Sequence, residues 1–266
     1  YPLRRQRQMC IRDRIYAVVI RLMTPNPPSP YRVKRPTPEL GLTIGLFAIL
    51  LLVQFLDFGV WDLQPWQGWV SGFFRSIGRE VYGLQFLPEW AKHDVFIAAS
   101  TTIKQLLPTL AVFLLLGYGW RELGFSRPHW KLAGIFVGIT ATFGLVNGIL
   151  TGKPIWQILV LYVVGIFVNA LPEELFFRGV LLPRLEKLFS NPLNALVASA
   201  LFFQVVHVPI NMMHGASAPM AVLDIFSLAY PSGLIWGYLY LRTRSILPGM
   251  FWHAANLTLG FFLMSY

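Results

Sequence analysis

Apolar residues arrive in runs of about twenty with almost no charge inside them, and this pattern restricts the chain more than any other feature. The runs are Leu40 to Val60, Val95 to Trp120, Leu132 to Leu150, Ile155 to Phe177, Ala195 to Ile210, Ala218 to Leu241 and Ile246 to Met264. Each reaches or approaches the length of a helix that crosses a bilayer. A backbone surrounded by hydrocarbon must satisfy its own N–H and C=O groups, so the expected fold class is all-α, a polytopic transmembrane bundle of about seven helices. Composition agrees, with 55% hydrophobic and 13% charged residues and a mean hydropathy of +0.56, against roughly 25% charged in soluble domains. No polar linker divides the runs, so one transmembrane domain is expected over 40–266, preceded by a basic segment at 1–39. Gln8 to Arg14 resembles a translated sequencing adapter, and residues 1–14 are set aside as artefact.

The net charge of +10 forms no continuous stripe, which argues against a nucleic-acid partner and for loop charges that orient the chain in a cell membrane. Arg121, Arg127, Lys131, Arg178, Arg184, Lys187, Arg242 and Arg244 fall on one side, whereas the short opposite loops contain only Lys153. The N-terminus is therefore expected in the cytoplasm. Trp61 to Lys92 mixes Trp66, Trp69 and Trp90 with Arg75, Arg79 and Glu80, as a segment in the headgroup region would. The many Phe residues are expected to face lipid. The single Cys10 excludes a disulfide framework, and there is neither a Gly-rich phosphate loop nor an HExxH zinc helix.

Ionisable groups inside apolar runs are costly and hence functional candidates. They are Lys104, Glu173, Glu174, Arg178, His207, Asp224 and His253. Glu174 and Arg178 are four apart, the spacing at which opposite charges meet on one helix face; Glu173 lies about 100° further round and is left to face another partner. Ser190-Asn191-Pro192 signals a turn. If both arms rise equally from a turn centred between Ser190 and Asn191, Glu174 stands level with His207, and Arg178 with Phe203. His253 reaches the same depth only if the first hairpin extends about 10 Å further into the cytoplasm, which its polar Arg184, Glu186 and Lys187 permit. Asn256 follows His253 on the same face. Lys104 and Asp224 read as structural, and His93, His129 and His214 receive no role.

Glu173-Glu174-Leu175-Phe176-Phe177-Arg178 is EExxxR, Phe203 to His207 is FxxxH, and His253 with Asn256 follows in the last run. In this order the three motifs resemble the CPBP family of intramembrane proteases, the CAAX-processing and bacteriocin-processing or Abi family, with a catalytic core over 160–260. The family places an Asn four residues after its last His, where this chain has Leu257. The resemblance implies an endopeptidase acting on a membrane-associated protein or peptide. In it Glu173 activates water with His207, and His253 and Asn256 stabilise the oxyanion or hold a metal. It also leaves room for a divalent metal such as Zn on Glu173, His207 and His253. Two other classes suit the residues: a non-catalytic membrane immunity or scaffold protein with a structural cluster, and an ion-coupled transporter, against which the absence of inverted repeats argues. A polar cavity opening toward the cytoplasm is expected.

Overall fold

The structure, a computed structural model, describes residues 36–60, 64–126, 130–150, 152, 154–189, 191–227 and 232–258. Among them the regular elements are helices, and no strand occurs. They are α1 (Pro36–Asp57), α2 (Trp66–Gly83), α3 (Glu89–Leu115), α4 (Trp130–Leu150), α5 (Ile155–Leu188), α6 (Pro192–Val205), α7 (Val208–Met213), α8 (Ala218–Ser227), α9 (Ser232–Thr243) and α10 (Leu247–Thr258). Four stretches are long and apolar enough to cross a membrane: Pro38–Asp57, Glu89–Leu115, Ile155–Leu188 and Pro192–Met213. The all-α membrane bundle stands. The expected run from Ala218 to Leu241 is described as two helices either side of 228–231, and the expected extension to Met264 lies outside the described residues.

Three places in α3 and α5 widen from α-helix to π-helix, at Thr102–Leu106, Ile166–Ala170 and Glu174–Leu181. Each is followed two residues later by a proline, Pro108, Pro172 and Pro183. Proline has no N–H, and its ring crowds the carbonyl four residues back; an i→i+5 turn relieves that crowding and finds the carbonyl a later donor. At Pro172 the displaced carbonyl is that of Val168, and Thr101 Oγ1 donates to it and also to the Phe167 carbonyl at 3.2 Å. The widened turns thus tie α3 to α5 beside Glu173.

Packing around α5 is aromatic. Phe47 of α1 lies 6.0 Å from Phe176 and 5.2 Å from Phe202, and Phe177 lies 5.2 Å from Phe203. Phe47, Phe113, Phe176, Phe177 and Phe203 are all buried, which corrects the lipid-facing expectation for these rings: they pair in the interior, Phe47 stacked on Phe176 and Phe177 edge-on to Phe203. The segment between α1 and α3 contains a helix. α2 buries Ser71, Phe74, Gly78 and Val81 along one stripe while Trp66 and Trp69 stay exposed, the amphipathic pattern of a helix lying on a boundary.

The turn end of the bundle also departs from expectation. Arg184 and Glu186 do not form a solvated extension; both are buried. Arg184 donates to Glu39 of α1 at 3.0 Å and to the Val180 carbonyl at 2.7 Å, with its guanidinium 4.3 Å from the Phe113 ring. Tyr118 donates to the same Glu39 oxygen, and Arg244 donates to Glu186 at 2.7 Å. Three of the eight basic residues counted for orientation, Arg178, Arg184 and Arg244, are therefore held by carboxylates. They serve packing, and the loop-charge margin is narrower than the bare count.

Candidate active site

The carboxylates Glu173 and Glu174 sit just after Pro172, at the start of the widest turn in α5. Glu174 turns inward. Its Oε1 accepts from Arg178 Nη1 at 3.0 Å, with both side chains at most 1% exposed. Arg178 Nη2 donates to the Gly233 carbonyl of α9 at 3.1 Å, and its guanidinium lies 4.8 Å from the Phe203 ring. The level expected for Arg178 and Phe203 is thus the observed one. Gly249 of α10 allows a second close approach, because a Cβ there would stand 2.7 Å from Glu174 Oε2.

His253 stands against both carboxylates, Nε2 at 3.8 Å from Glu173 Oε2 and Nδ1 at 3.5 Å from Glu174 Oε1. Glu173, Glu174 and His253 therefore converge as expected. His207 approaches from the end of α6. Its Nδ1 lies 2.8 Å from the Phe203 carbonyl; a carbonyl only accepts, so Nδ1 carries the proton and the lone pair of the neutral ring is on Nε2. The Phe203 ring lies 4.8 Å from the His207 ring and 6.5 Å from the His253 ring. Equal rise per residue put Glu174 beside His207. Instead it is Glu173 that lines a cavity with His207, because Arg178 holds Glu174 in the packed interior. Asn256 lies on α10, but its side chain is outside the described residues.

The cavity measures about 600 Å³. Its walls are Gln54 of α1 and Phe58 just beyond it, Thr101 and Gln105 of α3, Glu173 of α5 and His207 beyond α6, with His93, Asp94 and His214 at one end. His93, Met213 and His214 are exposed, while Gln105 and Glu173 are buried, so the mouth lies at the His93 and His214 end. From His93 to Gln105 the wall of α3 descends about 18 Å. That mouth is on the face opposite the α5–α6 turn and the basic loops, whereas the opening was expected on the basic-loop face: the apolar runs do not reveal which end of a bundle is left unplugged. His93, Asp94 and His214, to which the sequence assigned nothing, belong to this cavity. Their only signal was position, polar residues at the ends of two apolar runs that end on one face. His129 is outside the described residues.

Lys104 lies between this cavity and a second of about 420 Å³, lined by Leu46, Leu50, Phe73 and Phe74 and sharing Lys104 and Gln105 with the first. Its ammonium pairs with Asp57 and sits 4.2 Å over the Phe74 ring, as a structural reading requires. Asp224 accepts from Asn211 at 3.3 Å. Among the described residues no group of three His, Cys, Asp or Glu side chains stands so as to hold a metal ion. Glu173, His207 and His253 do not form such a set, and no step below is routed through a metal.

Neither the curated proteins nor the solved structures contain a match to the chain. Residues 154–259 match the family model described as type II CAAX prenyl endopeptidase Rce1-like, and that stretch carries Glu173, Glu174, Arg178, His207, His253 and Asn256. The part of the chain that builds the site is therefore similar to the CAAX-protease, or CPBP, family of membrane endopeptidases.

Proposed function

We propose that the chain is an intramembrane endopeptidase in which Glu173, assisted by His207, activates a water molecule against a peptide carbonyl. The observation that carries this reading is the unequal treatment of two adjacent carboxylates. Glu174 is neutralised by Arg178, whereas Glu173 lines the cavity that also contains His207. A general base must reach the water it deprotonates, and of the two adjacent carboxylates it is Glu173 that lines the cavity. The Nε2 lone pair of His207 orients the same water or relays its proton. His253 and Asn256 supply donors toward the developing oxyanion, and Arg178, paired with Glu174 and bonded to the Gly233 carbonyl, holds α5 to α9.

The substrate is a membrane-associated protein or peptide. The apolar cavity beside the catalytic one supports this, because the two share Lys104 and Gln105, so an apolar segment of the substrate rests in one while its backbone enters the other. The basic residues Arg32, Lys34 and Arg35 before α1 favour a cytoplasmic N-terminus; the mouth at His93 and His214 then faces away from the cytoplasm. The test is cleavage of a peptide library by purified protein in detergent, read by mass spectrometry. Wild type cleaves and Glu173→Ala, folded to the same melting temperature, does not. Equal cleavage by both would refute the proposal.

A further inference from the structure

The two nitrogens of His253 face Glu173 and Glu174 at 3.8 and 3.5 Å, longer than an N–H···O bond with a mode near 2.9–3.0 Å. Nδ1 has no hydrogen-bond partner among the described residues. Contacts this long orient the ring only loosely. The close contact that does define its plane is with Trp236, whose ring is stacked on it at a centroid distance of 3.9 Å and an interplanar angle of 23°. Trp236 is only 3% exposed. Its ring is fixed in turn by Phe203, edge-on at 6.0 Å, and by the Arg178 guanidinium at 5.6 Å.

The sequence builds this stack locally. Gly233 and Gly237 flank Trp236 on α9, at the four-residue spacing of small residues that lets two helices touch. A Cβ at Gly237 would stand 2.5 Å from Leu196 Cδ1, and one at Gly233 would stand 3.1 Å from Phe203. On the other side, a Cβ at Gly249 would stand 3.7 Å from Trp236 Cβ. Three glycines thus let α6, α9 and α10 close around the indole, and the turn of α10 that follows Gly249 presents His253 to its face.

We propose that Trp236 is a positioning residue for the reaction proposed above: its indole face sets the plane of His253 and so holds the ring beside the two carboxylates, in the orientation from which it donates to the oxyanion. An aromatic face suits a ring that gains and loses a proton, because it packs against the neutral imidazole and attracts the cationic one. A hydrogen-bonding partner in its place would fix one tautomer.

The experiment compares Trp236→Phe, which keeps a face, with Trp236→Leu, which keeps apolar bulk and removes the face, in the full chain in detergent micelles. The first readout is hydrolysis of a fluorogenic peptide selected from the library that wild type cleaves. Trp236→Leu is expected to lose kcat on the order of 100-fold, the scale of a misplacement of about 1 Å, with KM changed less than about twofold. Trp236→Phe recovers most of that loss, while the melting temperatures of the two variants stay close to each other. The second readout is the 15N spectrum of the His253 imidazole, assigned with His253→Gln, which reports ring environment without any substrate. Trp236→Leu shifts it and Trp236→Phe leaves it near wild type. Equal kcat in the two variants, or an unchanged His253 spectrum in Trp236→Leu, overturns the proposal. If wild type cleaves no peptide, the proposed activity fails, and the spectrum alone still decides whether Trp236 orients His253.

Discussion

Arg178 and Arg184 lie six residues apart on α5, both 1% exposed, both 3.0 Å from a carboxylate and both against aromatic rings. They nevertheless do opposite things. Arg178 takes its partner from its own helix, one turn back, and so occupies Glu174 while Glu173 is left lining the cavity. Arg184 takes its partner from α1, 145 residues away in sequence, and so staples the first helix to the fifth. The same buried pair serves chemistry when it removes one of two competing carboxylates, and architecture when it joins two elements. Which role it plays depends on where the partner comes from, and the energy of the pair itself is no guide.

The largest effect is expected where the two roles overlap. Arg178→Ala leaves Glu174 buried without its cation, a loss of about 3–5 kcal/mol in stability, and lets Glu174 compete with Glu173, so activity per folded molecule falls as well. Thermal melting and hydrolysis measured on one preparation check both; a variant that melts early yet turns over normally would break the distinction on the site side. Arg184→Ala should cost a similar amount, about 3–5 kcal/mol, with turnover of the folded fraction unchanged, because neither Glu39 nor Tyr118 lines the cavity. The double variant Glu39→Gln with Arg184→Met removes both charges and should recover part of that loss; strict additivity would argue against a staple. Gly249→Ala forces a methyl group against the Glu174 carboxylate, a strain of about 1–3 kcal/mol, and its melting temperature should fall less than that of either arginine variant. Labelling of single cysteines tests orientation without an energetic cost: position 121 should react from the cytoplasmic side and position 215 from the other. The reverse pattern would place the cavity mouth in the cytoplasm.

The site-side pair was legible in the sequence because EExxxR encodes it at helical spacing, and FxxxH with His253 gave the remaining groups in order. The Arg184 pair was not, since nothing in the neighbourhood of Glu39 refers to a residue 145 positions on. Arg184 and Glu186 therefore read as a polar hairpin tip when both are buried. Trp236 was missed for a related reason: one Trp in an apolar run carries no local mark of the imidazole it stacks on. The prolines were the underused signal. Pro108, Pro172 and Pro183 each follow a widened turn, and a widened turn breaks the equal rise per residue on which the expected level of Glu174 and His207 rested.

The central claim is that adjacent carboxylates divide catalysis from structure, and a paired comparison of Glu173→Gln and Glu174→Gln tests it most directly. Hydrolysis and melting temperature are measured side by side for the two variants. Glu173→Gln should lose about 10²–10⁴-fold in rate, the usual worth of a general base, with the melting temperature of wild type. Glu174→Gln should melt lower, because Arg178 keeps its burial and loses its counter-charge, while the surviving folded protein still cleaves. If Glu173→Gln cleaves and Glu174→Gln does not, the roles are reversed and the account is wrong.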